Sequence, residues 1–101
     1  MLRFARPALV TTLALAGLLA GCSTVEEDKT ANWTPERIYT EARDEAQSGG
    51  YEQAVPLFEK LEGRAAGTPL AQQAQLEKAY AQYKSGEKAQ AVATLDRFMK
   101  L

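Results

Sequence analysis

At 101 residues the chain has room for one small domain, and 46% hydrophobic with 25% charged residues is the balance of a globular protein. A formal charge of −1, falling to −3 if Arg3 and Arg6 are removed with a leader, argues against nucleic acid as a partner, since phosphate binding needs clustered Lys and Arg. With no histidine and one cysteine, the chain lacks the means for His/Cys zinc sites, Ser-His or Cys-His catalysis, or an internal disulfide.

Arg3 and Arg6 make a positive start, and Ala8 to Ala20 is apolar except for Thr11 and Thr12. That is the pattern of a secretory leader, too short for an ordinary spanning helix. The stretch ends Leu19-Ala20-Gly21-Cys22, which resembles the lipobox of bacterial lipoproteins. The resemblance implies cleavage between Gly21 and Cys22, a diacylglycerol on the Cys22 thiol and an acyl chain on the new amine. Residues 1–21 are then the signal peptide. Three acyl chains would make a durable anchor, each buried methylene contributing about 0.8 kcal/mol. Ser23, where inner-membrane lipoproteins carry Asp, implies the outer membrane. From Ser23 to Asn32 the chain is polar and without apolar period, so residues 22–33 are expected to be a flexible tether.

Helical periodicity begins after Trp33. Thr34-Pro35 is an N-cap with proline at N1, Trp33 is placed to staple onto Ile38, and Ile38, Tyr39, Ala42 and Ala46 share a face up to the stop at Ser48-Gly49-Gly50. A second helix carries Tyr51, Ala54, Val55, Phe58 and Leu61, with Pro56 inside it expected to kink it mildly. Thr68-Pro69 opens a third, with Leu70, Ala71, Ala74, Leu76, Ala79, Tyr80 and Tyr83 as its apolar members, ending at Ser85-Gly86. The fourth holds Ala89, Ala91, Val92, Leu95, Phe98 and Met99. An offset of 37 superimposes Ala42 on Ala79, Gly49 on Gly86, Ala54 on Ala91, Val55 on Val92 and Phe58 on Leu95. Small matches small and large matches large, as two copies of one helix hairpin require.

The pattern resembles the tetratricopeptide repeat, with a period of about 34, the surplus three residues being expected in the linker Gly63 to Gly67. The predicted fold is an all-α solenoid of two repeats, 34–67 with its linker and 68–101, in an array expected to continue beyond residue 101, because a two-repeat solenoid buries little. An unrelated four-helix bundle is the competing architecture.

The lipobox, the tether and the runs Tyr51-Glu52-Gln53-Ala54, Ala71-Gln72-Gln73-Ala74-Gln75-Leu76, Ala79-Tyr80-Ala81-Gln82-Tyr83-Lys84 and Leu95-Asp96-Arg97-Phe98-Met99 together resemble the BamD (ComL) family, the repeat lipoproteins of the outer-membrane β-barrel assembly machinery. One departure is Gly63-Arg64-Ala65-Ala66-Gly67, where that family often has Arg-Tyr-Pro. The resemblance implies a lipid-anchored scaffold on the periplasmic side of the outer membrane, without cofactor, whose partners are the central barrel protein, companion lipoproteins and unfolded outer-membrane precursors. Tyr39, Arg43, Tyr80, Tyr83 and Lys84 are the candidates for a peptide-binding groove, because aromatic rings supply contact area at low entropic cost and charges set register. A secretin pilotin is a rival of the same class. A periplasmic enzyme is the rival of another class, disfavoured because Glu26, Glu27, Glu36, Glu41, Asp44 and Glu45 fall on the tether or on solvated faces with no apolar pocket to shift a pKa.

Overall fold

The computed structural model describes residues 28–101, and these form four helices: α1 (Pro35–Gln47), α2 (Tyr51–Arg64), α3 (Pro69–Lys84) and α4 (Lys88–Met99). The leader, the cleavage site and Cys22 lie outside the described residues. Both Thr-Pro caps form as expected, the Thr34 hydroxyl accepting from the Arg37 amide and the Thr68 hydroxyl from the Ala71 amide. Pro56 does not break α2, and the backbone bond that it removes lies on the solvent-facing side, where Glu52 and Pro56 are both exposed.

The two hairpin turns are copies of each other. Gly49 and Gly86 take φ of 92° and 91°, and the following amides reach back into the preceding helix, Gly50 N–H to the Glu45 carbonyl at 2.7 Å and Glu87 N–H to the Gln82 carbonyl at 2.8 Å. This is the Schellman closure, which needs a residue tolerant of positive φ at its centre. A side chain at either glycine would meet no obstacle in space, so the requirement for glycine is one of backbone conformation.

Each helix packs on its chain neighbours, α1 on α2, α2 on α3 and α3 on α4, while α1 and α4 form no interface. A closed bundle would return α4 to α1, so the architecture is the solenoid. The main core lies in the first repeat and where α3 covers it: Ile38, Ala42, Ala54, Phe58, Leu61, Ala74 and Ala81 are fully or almost fully buried, with Trp33, Tyr39 and Leu70 packed around them. Ala42 and Ala54 in one hairpin and Ala79 and Ala91 in the other are buried, as small residues at helix crossings should be. Ala54→Leu or Ala91→Leu should therefore overpack its crossing and cost roughly 1 to 3 kcal/mol, readable as a lowered urea midpoint.

Two expectations are corrected. The three surplus residues are not in the 63–67 linker: α1 begins at Pro35 and α3 at Pro69, an interval of 34, and α3 is 16 residues long where α1 has 13. The insertion is nearly one extra turn of α3, which preserves the face that meets α2, and α2 itself continues through Gly63 to Arg64. The expected tether of residues 22–33 is corrected over its described part. Asp28 to Asn32 is not free but folds into a turn docked on α2, with Thr30 buried. Asp28 pairs with Lys60 and Arg64 of α2, and the Trp33 carbonyl accepts from Arg64 Nη1 at 2.9 Å.

The Lys60 ammonium, together with the Thr30 hydroxyl and amide, holds the Asp28 carboxyl far below the usual carboxylate range. With the folded value depressed, the contribution of this pairing is complete above the ordinary Asp pKa and fades as pH falls toward the depressed value. Asp28→Asn should accordingly flatten part of the acid limb of a stability-against-pH curve measured by circular dichroism.

Candidate peptide-binding face

Helices α1 and α3 are the first helices of their hairpins, and side chains of the two meet at the repeat boundary. Arg43 and Glu77 are separated by the helix-start interval of 34 and form an ion pair at 3.5 Å. The Arg43 guanidinium also lies 5.6 Å from the centre of the Tyr39 ring, which meets Phe58 edge-on at 6.5 Å. The Glu77 carboxylate beside the Tyr39 hydroxyl raises the Tyr39 pKa, with burial adding to the effect. Tyr39 and Arg43 thus stand together, tied to a carboxylate that the residue types alone did not single out.

A second cluster stands at the other end of the same face. The Tyr51 and Tyr80 rings meet edge-on at 6.1 Å, and the Lys84 ammonium lies 5.8 Å from the Tyr51 ring. Between the two clusters is a shallow cleft lined by Arg43, Ala46, Gln47, Tyr51, Glu77 and Tyr80. The strip therefore alternates aromatic surface with charge, cation at Arg43, anion at Glu77, cation at Lys84. An extended peptide can lay side chains on the rings while its charges choose the register.

Tyr83 is placed elsewhere. It stands about 60° round α3 from Tyr80, with the Lys88 ammonium 6.0 Å from its ring, and it lines an apolar cleft of about 550 Å³ with Leu76, Ala79, Tyr80, Val92 and Leu95. Only Tyr80 borders both clefts. This second cleft is the counterpart of the first-repeat surface that α3 covers. Val55 is 9% exposed and its equivalent Val92 is 67% exposed. Leu76, Val92 and Leu95, apolar members of their helices, are solvent-accessible for this reason, whereas Gln75, Lys78, Gln82 and Thr94 are buried.

The reason those polar residues are buried is the double role of α3, which packs on α2 with one side and on α4 with the other. The Thr94 hydroxyl donates to Gln82 Oε1 at 2.7 Å between α3 and α4, and Lys78 meets Glu62 at 2.7 Å between α3 and α2. Among the described residues there is no group of three or more His, Cys, Asp or Glu able to hold a metal, and no helix long and apolar enough to cross a membrane.

Fold and face together define a helical-repeat protein that presents a mixed aromatic and charged strip. Comparison with known proteins gives this class its family: the model of a family described as outer membrane lipoprotein (YfiO) matches residues 31–101, and the chain belongs to that family. The chain is 43% identical over 98 residues to the outer membrane protein assembly factor BamD of Neisseria meningitidis serogroup B, an alignment covering 92% of this chain and 37% of that protein. It is 40% identical over 98 residues to the factor of the same name from Neisseria gonorrhoeae, with the same coverage. With that of Vibrio cholerae it shares 36% over 92 residues, covering 86% of this chain and 38% of the relative. The chain thus spans a little over a third of the length of these relatives.

Proposed function

We propose that this chain is the anchored, precursor-facing part of an assembly factor for outer-membrane β-barrel proteins, acting as a scaffold without catalytic chemistry. The observation that carries this is the joint one of family and face: a match across both hairpins to assembly factors, on a fold whose α1/α3 side offers Tyr39, Arg43, Glu77, Tyr51, Tyr80 and Lys84 in one strip. The names of the relatives support the assembly role over a secretin pilotin. Lipid on Cys22 holds the repeats at the periplasmic side of the outer membrane, in reach of the central barrel protein and companion lipoproteins. The strip receives extended segments of unfolded precursors before they are folded into the membrane.

A photo-crosslinking residue at position 80 of the full-length lipoprotein tests this. It should capture unfolded barrel precursors, whereas the same residue at Gln90, exposed on α4, should not. Tyr80→Ala should weaken a precursor-derived peptide about tenfold, the usual loss for an aromatic anchor. Equal capture at positions 80 and 90 would remove the strip from the function.

A further inference from the structure

The docked turn at residues 28–33 lies outside the four helices and outside the peptide strip. Its fastenings are several and independent. Within the turn, the Thr30 amide and hydroxyl donate to Asp28 Oδ1 at 2.9 and 2.6 Å, the Ala31 amide donates to the Asp28 carbonyl at 3.1 Å, and the Trp33 amide donates to the Thr30 carbonyl at 3.0 Å. Toward α2, Lys60 pairs with the same Asp28 oxygen, and Arg64 spans the two ends of the turn, with Nη2 3.9 Å from Asp28 and Nη1 on the Trp33 carbonyl. Trp33 then packs on the core beneath a guanidinium, Arg37, 4.2 Å from its ring.

A single exposed ion pair contributes little. Here one carboxylate gathers two hydrogen bonds from its own turn and two cations from a helix more than 30 positions further along the sequence. The turn also borders the groove between the outer faces of α1 and α2, alongside Glu41, Glu45, Pro56 and Leu57. It therefore stands on the open side of the first hairpin, as a cap does in a helical array.

We infer that Asp28–Trp33 is a strap, locked to α2 by Lys60 and Arg64, which fixes how far and at which edge the repeats stand from the membrane anchor. The inference rests on the reading of Cys22 as lipid-bearing. With the strap closed, the six Cα-to-Cα steps from Cys22 to Asp28 reach no further than about 22 Å. With it open, the eleven steps from Cys22 to Trp33 raise the limit to about 40 Å. Closure also makes the chain leave the body beside the end of α2, so the α1/α3 strip keeps one bearing toward the membrane.

The test uses the full lipidated protein on vesicles. Acylation consumes Cys22, so Glu87→Cys, at a helix start whose side chain caps nothing, gives one labelling site for energy transfer to an acceptor lipid. Asp28→Ala and, separately, Lys60→Ala should broaden the donor-to-membrane distances and extend their outer limit by about 18 Å. Both should also speed hydrogen exchange at the Thr30 and Trp33 amides at least about tenfold, since those amides are protected only while the turn is closed. Rapid exchange of these amides in the unsubstituted protein, or distances that stay unchanged in both variants, would overturn the strap while leaving the anchor intact. Loss of the protein from vesicles with Cys22 in place would overturn the anchor and the strap together.

Discussion

Phe58→Ala should cost about 3 to 5 kcal/mol, whereas Leu95→Ala at the equivalent place in the second hairpin should cost about 1 kcal/mol or less. Phe58 is 1% exposed, beneath α3 and edge-on to Tyr39, so truncation removes both its transfer energy and its packing partners. Leu95 is 39% exposed on the rim of the apolar cleft, where a shortened side chain leaves no sealed void. Small domains hold only a few kcal/mol in reserve, so the first substitution should unfold most of the chain at ambient temperature and the second should shift the urea midpoint slightly. Equal costs at the two sites would mean that the α3/α4 cleft is closed by something that also closes the α1/α2 face, and the asymmetry described above would be lost.

That asymmetry explains what could be foreseen from the residues. Helix starts were legible because Thr-Pro at 34–35 and 68–69 is local chemistry, and helix ends because a Gly after Ser at 49 and 86 meets the demand for positive φ. Small residues at 42, 54, 79 and 91 marked the crossings because close approach of two backbones leaves room for little else. Burial of the large residues was not legible at the same level. Val55 and Val92 occupy the same register, and what separates them is the helix that lies on top, which local pattern does not encode.

The candidate strip was half legible for a related reason. Tyr39 and Arg43 were recognisable as exposed aromatic and charged residues on a first helix. Glu77 became visible only when the interval between first helices proved to be 34 and placed it against Arg43. An offset of 37, set by the second helices and the hairpin turns, hides that pairing behind the extra turn of α3. Tyr83 shares its residue type and helix with Tyr80, yet the roughly 60° between them round the helix is enough to leave Tyr83 on the other cleft alone. The docked Asp28 turn was hidden most completely. Its partners Lys60 and Arg64 are remote in sequence, and a polar run with acidic residues has the same composition whether it is free or clamped.

Lys78→Ala is expected to cost about 2 kcal/mol and to loosen the joint between repeats. Lys78 is 4% exposed on α3, its ammonium 2.7 Å from Glu62 on α2, and that Glu62 oxygen is buried with no aligned hydrogen-bond donor. The ion pair thus compensates for placing that oxygen out of water. Removing one partner of a fully buried pair costs about 3 to 5 kcal/mol, and the figure is lower here because the Glu62 side chain, 27% exposed, can turn toward water. Replacing both partners with apolar side chains of similar size, Lys78→Met with Glu62→Leu, should recover most of the loss, because neither residue then carries a charge out of water. The two single variants, the double variant and the unsubstituted chain make a thermodynamic cycle measurable by urea unfolding, with an expected coupling of about 1 to 2 kcal/mol. A coupling near zero would show that the joint is held by Ala74, Ala81 and Leu61 alone and that the charges are screened. A double variant as unstable as the single one would show instead that the pair sets the angle at which α3 crosses α2, and with it the spacing of Arg43 and Glu77 on the peptide-binding strip.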